Sequence, residues 1–336
     1  MSEAPAIPAP RRKLLVGGTN AGLSALLVAL IVLFTLMIGE KFFSASVLRS
    51  MAFQMPELGI LSLAMMITLL SGGLNLSIIA TANLCALTMA FVLTTMVPGA
   101  EGVAWGAWQV AAVAAGFAVA AVIGLMNGYV IAYLGVSPIL ATLGTMTMVK
   151  GLSIGLTRGD VLSGFPEPIV FIANGTVLGI PFAMFILALC AIPVAVMLKR
   201  SPFGNAIYMM GSNPEATRFS GIRTRRVTMK LYMLSSLLAG VATLVMLSRF
   251  NSANASYGES YLLVTILAAV LGGTDPYGGF GKVGGLILAL IILQVISSAF
   301  NLLGFSQFLT IAIWGALLIA TSVFALWYRG HLHWRS

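Results

Sequence analysis

The stretch 211–227, GSNPEATRFSGIRTRRV, is a compact polar block in the middle of a chain that is otherwise close to apolar throughout. It holds Arg218, Arg223, Arg225 and Arg226, with Lys199 and Arg200 upstream and Lys230 just beyond. Seven of the chain's 18 basic residues therefore fall within 199–230. Around this block the 336 residues are 59% hydrophobic and 8% charged, and the mean hydropathy is +1.03. Soluble domains carry about 25% charged residues, so this chain cannot present a wet surface on all sides. It reads as a multi-span membrane protein.

The net charge of +9 comes from a shortage of acids, nine in all, more than from an excess of bases. No basic face with interleaved aromatics is present, so nucleic acid is not expected as a partner. In membrane proteins Lys and Arg instead mark cytoplasmic loops. Cys85 and Cys190 lie inside apolar stretches, where free cysteine behaves as a small hydrophobe, and both read as packing residues. Arg11-Arg12-Lys13 ahead of an apolar run invites a signal-peptide reading. The uncharged run 14–39 exceeds the 7–15-residue core of such peptides, which favours an uncleaved first span.

A span needs about 20 mostly apolar residues. On that criterion helices fall near 14–39, 58–72, 76–97, 108–134, 139–156, 177–198, 227–247, 258–271, 283–300 and 308–328. The segments 58–72 and 258–271 are short and end in glycines, so each is either a plain span or a broken or tilted helix. The expected fold is all-α and polytopic, with about ten transmembrane helices. With both termini inside, the internal segments hold 13 of the 18 basic residues. The external ones hold Glu40, Glu101, Asp160, Glu167 and Glu259, with Glu57 near the outer end of its span. Orientation follows Lys and Arg, which predicts N-in and C-in. Residues 1–13 and 329–336 are then cytoplasmic tails, and 14–328 form one transmembrane domain whose loop 199–226 is cytoplasmic.

Two internal matches share nearly one offset. Leu134-Gly-Val-Ser-Pro-Ile-Leu140 resembles Leu303-Gly-Phe-Ser-Gln-Phe-Leu309, and Leu69-Leu-Ser-Gly72 resembles Leu237-Leu-Ala-Gly240. On the expected topology the copies lie on opposite sides, as a pseudo-twofold inverted repeat requires, and transporters are commonly built this way.

Residues for hydrolytic or redox chemistry are scarce. His331 and His333 in the tail HLHWRS lack a third ligand for a metal, and no GxSxG elbow or HExxH motif occurs. The segment GGFGKVGG contains a formal GxGxxG from Gly279 to Gly284. The dinucleotide fingerprint needs a preceding strand and a later acid, and a phosphate loop needs Ser or Thr where Val283 stands. The surrounding LGGTDPYGGFGKVGG reads as a tight turn or broken helix whose glycines let backbone pack closely.

SGGLNLSIIATAN (71–83) places Ser71, Asn75, Ser77, Thr81 and Asn83 at a depth where lipid offers no partners. Backbone opened at Gly72-Gly73 is tolerated only when buried in protein or lining a wet cavity. Polar residues also glue membrane helices together, and both readings stand. Neutral hydrogen-bonding groups along a pathway suit an uncharged polyhydroxy solute. An ion-coupled carrier, the rival reading, carries ionisable groups within its spans. By the expected spans no acid is central in a helix, and Lys150 is the main intramembrane charge. In the polar block itself, Asn213 caps a short helix with Pro214 near its first position. Glu215 follows in the first turn, Arg218 sits near the last, and Ser220-Gly221 is a helix stop. Such a helix is too short to stand alone and needs a surface to dock on.

Taken together, ELGILSLAMMITLLSGGLNLS, NGYVIAYLGVSPILATLGTM, GSNPEATRFSGI, LAAVLGGTDPYGGFGKVGG and AFNLLGFSQF resemble the permease subunits of ribose/xylose/galactose-type ABC importers, the branched-chain or ribose-type membrane component family. The resemblance runs from about residue 55 to 327. It implies a ten-helix fold similar to the cobalamin importer's subunit, in the bacterial inner membrane. It implies a coupling helix at Asn213, Glu215, Ala216, Arg218, Ser220 and Gly221, seated on a cytoplasmic ATPase. It also implies a translocation pathway lined or shaped by Ser71, Gly72, Gly73, Asn75, Ser77 and Asn83, with Asn75 where the family often has aspartate. The implied partners are that ATPase, a periplasmic sugar-binding protein and a second permease subunit, either a copy or a paralogue. ATP and Mg sit on the ATPase, no cofactor on this chain, and the solute is a monosaccharide or a related polyhydroxy compound.

Overall fold

A computed structural model describes residues 15–333. Along them run helices α1 (Leu15–Ile38), α2 (Ala45–Leu70), α3 (Ile78–Thr95), α4 (Gly102–Ala132), α5 (Pro138–Thr157), α6 (Glu167–Asn174) and α7 (Phe182–Arg200). They are followed by α8 (Pro202–Ser212), α9 (Pro214–Phe219), α10 (Thr224–Phe250), α11 (Tyr261–Leu271), α12 (Val283–Leu302) and α13 (Gln307–His333). A short 3-10 helix (Gly39–Phe43) and four two-residue strands complete the described elements: β1 (Leu162–Ser163), β2 (Thr176–Val177), β3 (Ile180–Pro181) and β4 (Ser252–Ala253). Arg11, Arg12, Lys13 and Arg335 lie outside the described residues, as do the side chains of Arg329, His331 and His333.

Each of the ten apolar segments expected from the sequence contains helix, but 177–181 of the sixth lies in β2, β3 and the turn between them. Eight helices are long and apolar enough to cross a membrane: α1 with the turn after it, α2, α3, α4, α5, α7, α10 and α12. The 11-residue α11 and the apolar stretch Gln307–Thr321 of α13 are shorter. The segment 58–72 is not a short or broken helix. It is the second half of the 26-residue α2, which begins at Ala45, where Ser44 caps it by accepting a hydrogen bond from the Val47 amide. Pro56 sits inside this helix without ending it.

Helix α2 is the axis of the molecule. From Gly59 to Leu70 every residue is buried, and α7, α10, α11 and α12 pack around it. A helix that is hydrophobic all round belongs in a core or a bilayer. Because lipid tails are as apolar as leucine, burial alone cannot specify which faces meet, and close packing of small residues does so instead. Helix α4 carries Gly116, Ala120, Gly124 and Gly128 at four-residue intervals, which places them on one face. A Cβ at Gly124 would stand 2.7 Å from the Met233 Cα, and one at Gly128 would stand 2.9 Å from the Met229 Cα. The backbones of α4 and α10 thus nearly touch. Cys85 on α3 is buried, Cys190 on α7 is half-buried, and both are free thiols.

Two sets of contacts close the ends of the bundle. At one end β1 pairs with β4, Leu162 opposite Ala253 and Ser163 opposite Ser252, which ties the loop after α5 to the end of α10. At the other end, the basic one, the α11–α12 loop folds under α2 and donates a hydrogen bond from Gly279 N to Leu70 O (2.8 Å).

The two internal sequence matches behave differently. Gly135 and Gly304 share φ values of +74° and +76°. Ser137 and Ser306 then each cap the following helix, accepting from the amides of Leu140 and Leu309. Leu69–Gly72, however, terminates α2 with Gly72 at φ +81°, whereas Leu237–Gly240 lies inside α10.

Gly124→Val is expected to destabilise the purified chain by about 1–3 kcal/mol, the usual cost of overpacking. Gly144→Val, at a site with nothing within 4 Å, should change thermal unfolding far less. Equal melting of the two variants would show that the α4–α10 approach does not hold the fold.

Candidate functional site

The loop 199–226 holds two short helices, where the sequence suggested one. Ser201 caps α8 by accepting from Gly204 N (3.0 Å), with Pro202 in the first turn. Gly204 lies against Leu198 at the end of α7. The buried face of α8 is Gly204, Ala206, Ile207 and Met210. Tyr208 Oη donates to Gly281 O at 2.8 Å. Gly211 is wedged between Leu70 O and Gly279 N, backbone atoms that leave no room for a Cβ.

Asn213, extended at φ −160°, ends α8 and caps α9 in one residue, its Oδ1 accepting from Ala216 N at 2.9 Å. Helix α9 has Glu215 in its first turn and Arg218 in its last, the arrangement that the helix dipole favours. Thr217 is its one buried residue. Asn213, Glu215, Ala216, Arg218, Ser220 and Gly221 are all exposed, and Gly221 turns the chain away at φ +81°. Phe219, to which sequence reasoning gave no role, is 89% exposed. A lone aromatic within a polar block was the signal for it. The basic residues around α9 have separate surroundings. Arg225 lies 5.6 Å over the Tyr133 ring, and Lys199 and Arg200 sit at the C-terminus of α7, where its dipole favours cations.

Inside the bundle the residues of 71–83 divide into three groups. Ser71 and Gly72 close the basic end of α2, with Ser71 Oγ donating to Thr68 O at 2.8 Å. Asn75 and Ser77 join a chain of hydrogen bonds that runs in one direction. Thr145 Oγ1 donates to Asn127 Oδ1 (2.7 Å), Asn127 Nδ2 to Ser77 Oγ (2.9 Å), and Ser77 Oγ to Asn75 Oδ1 (2.7 Å). Asn75 Nδ2 then donates to Ser235 Oγ (3.0 Å), and Ser235 Oγ to Ala64 O (2.9 Å). Asn83 stands apart and donates to the carbonyls of Ala255 and Tyr257, each at 3.0 Å. Asn75, Ser77, Asn127 and Ser235 are fully buried, so this chain links α2, α4, α5, α10 and the α2–α3 turn through the interior. Gly73 abuts the Tyr232 hydroxyl, which is buried with no hydrogen-bond partner among the described residues.

The acids need one correction. Because α2 starts at Ala45, Glu57 stands mid-helix and is 1% exposed, so Lys150 is not the main charge within the spans. The Arg249 guanidinium pairs with Glu57 Oε1, and Tyr261 Oη donates to the same oxygen at 2.7 Å. This joins α2, α10 and α11. Lys150 instead reaches Glu259 at 2.8 Å on the surface, and its hydrogen bond holds that carboxyl below the usual carboxylate range. The GxGxxG of 279–284 follows helix α11 and forms a tight turn, in which Asp275 N donates to Phe280 O and Gly278 N to Asp275 O. No strand precedes it, so the dinucleotide geometry does not arise.

A bundle stitched through its interior by neutral polar side chains, with a short exposed helix at its basic end, defines a membrane transport subunit. The comparisons with known proteins make the class specific. The branched-chain amino acid transport system / permease component family matches residues 47–322, and the chain belongs to that family. It is the permease of an ABC importer, a transport component and not an enzyme, and a multi-pass protein of the bacterial inner membrane. It is 29% identical over 312 residues to the Autoinducer 2 import system permease protein LsrD of Photorhabdus laumondii, covering 91% of this chain and 90% of that protein. The LsrD of Yersinia enterocolitica is 30% identical, covering 91% of each chain. That of Photorhabdus temperata is 30% identical, covering 79% of each. No solved structure matches the chain.

Removing one partner of a buried pair leaves an uncompensated charge, at a cost of about 3 kcal/mol or more. Arg249→Met is expected to lower the melting temperature sharply, and Glu57→Met/Arg249→Met to recover most of the loss. Equal losses in single and double variants would show that the pair does not act as one.

Proposed function

We propose that α9 is the helix through which a cytoplasmic ATPase drives this permease, with Asn213, Glu215, Ala216, Arg218, Ser220 and Gly221 at the contact and Phe219 as its apolar anchor. The observation that carries this reading is a large aromatic side chain left 89% exposed on a capped six-residue helix. A helix that short is stable only when held from outside itself. Displacement of α9 reaches the interior through α8, because Gly211 bears directly on the end of α2 and on the α11–α12 loop. ATP and Mg belong to the ATPase, with no cofactor on this chain.

The remaining architecture is proposed with it. The chain crosses the membrane ten times, α11 and α13 included, with both termini inside. Residues 14–328 are the transmembrane domain, 199–226 its coupling loop, and 1–13 and 329–336 its tails. Support for this orientation is the clustering of bases on the side of α9. The matching caps at Ser137 and Ser306 support an inverted repeat, which rests on that pair alone.

The pathway runs between this chain and a second permease subunit, a copy or a paralogue. Solute arrives from a periplasmic binding protein. Ser71, Gly72, Gly73, Asn75, Ser77 and Asn83 belong to this pathway. Since Asn75, Ser77 and Asn83 already spend their donors on protein acceptors, their part is to shape its wall. The neutral polar interior and relatives named for autoinducer 2 import favour a monosaccharide or a related polyhydroxy solute. Autoinducer 2 is the first compound to try.

Reconstitution with the ATPase and binding protein tests the assignment. Phe219→Ala and Arg218→Glu should still assemble but lose binding-protein-stimulated hydrolysis by about tenfold or more, the scale of an interface hot spot. Unchanged hydrolysis and uptake in both would leave the loop as a charge anchor only.

A further inference from the structure

Beside the proposed coupling helix, α8 and the first turns of α10 enclose a groove of about 620 Å³. Its basic wall is Arg223, Arg226 and Lys230, and Phe203 and Met209 form part of the facing wall. We propose that this groove binds the headgroup of an anionic phospholipid, with the acyl-glycerol portion against the apolar side. The inference is independent of the coupling reading and requires only that α10 crosses the bilayer.

Three observations carry it. First, Arg226 and Lys230, four residues apart, lie on one face of α10, and Arg223 at its N-cap lines the same groove. Both ion pairs found among the described residues lie elsewhere, so three positive charges line one concavity without a carboxylate to offset them. The Asn205 side-chain amide at the same groove makes no hydrogen bond to the described residues either. Second, the depth is right for a phosphate. No charged residue follows Lys230 until Arg249, so Lys230 marks the point where the polar end of α10 meets its membrane-spanning run. Arg226 and Arg223 stand about one and two turns further out, where headgroups lie. Third, the groove has two chemistries. A soluble phosphate needs only the cations, whereas a phospholipid also uses the apolar wall. Basic pockets between membrane helices bind anionic headgroups on this principle. Arg225, one residue from the groove, instead covers Tyr133 and serves as an internal reference.

The test uses the full chain in mild detergent, titrated with phosphatidylglycerol, phosphatidylethanolamine or inorganic phosphate. Native mass spectrometry counts retained lipid, and thermal unfolding reads its effect. Wild type and the control Lys199→Gln/Arg225→Gln, which loses two charges outside the groove, should retain phosphatidylglycerol and melt higher with it. Arg226→Gln/Lys230→Gln should bind it about 30-fold more weakly, from the roughly fivefold that each base contributes near an anionic surface. Asn205→Trp, which fills the groove without changing charge, should also lose it, and this arm decides the matter if the double variant fails to fold. Equal phosphatidylglycerol binding by the groove variants and the control would overturn the proposal. So would stabilisation by inorganic phosphate to the same extent. Loss of the co-expressed ATPase from Arg226→Gln/Lys230→Gln with lipid binding intact would assign the groove to protein docking and equally overturn it.

Discussion

The backbone contact among Leu70, Gly211 and Gly279 is the constraint on which the rest of the structure depends. The last carbonyls of a helix have no partner within it, and α2, the most enclosed helix of the bundle, ends where water cannot serve all of them. Gly279 N supplies the bond to Leu70 O. It can do so only because residues 278 and 279 take positive φ and Gly211 brings no side chain to the same point. One contact therefore completes the central helix, seats the α11–α12 loop and anchors α8. A displacement of α8 toward this point must push on the end of α2 or on the α11–α12 loop, because Gly211 already abuts both.

The interior is held on a different principle. Hydrophobic burial distinguishes protein from water, but within a membrane it distinguishes little. Specific helix positions here come from backbone approach at Gly124 and Gly128 and from the polar chain through Asn127, Ser77, Asn75 and Ser235. The buried pair of Glu57 and Arg249 adds a third fixed point near the far end of α10. It ties α2 to α10, while its desolvation cost offsets much of what the attraction contributes to stability.

Helix positions, the cap at Asn213 and the glycine turn at 272–285 were legible in the sequence, because each depends on local chemistry: apolar runs, capping side chains and positive φ. The start of α2 was not. Arg49, Gln54 and Pro56 depress its apparent hydropathy, so a helix of 26 residues looked like one beginning at 58, and Glu57 was placed near a span end. Helix α8 escaped notice because Tyr208 and the small residues around it form no apolar run of span length. The glycine face of α4 was hidden for a third reason. In a chain with 36 glycines, only the partner's geometry shows which ones are in contact. For the candidate site the sequence supplied the residue types along 71–83, but their division into three groups depends on Asn127, Thr145 and Ser235, which are distant in the chain.

The one-way run of hydrogen bonds from Thr145 to Ala64 bears on ion leakage. A wire of waters or hydroxyls passes protons because each member can accept one on the same oxygen that releases another. Asn75 and Asn127 accept on oxygen and donate from nitrogen, so a proton arriving at either cannot leave from the other side. The terminal acceptor is a peptide carbonyl with no proton to give. This one chain is thus polar enough to fix its helices while offering no hydroxyl-to-hydroxyl proton relay through Asn127 and Asn75.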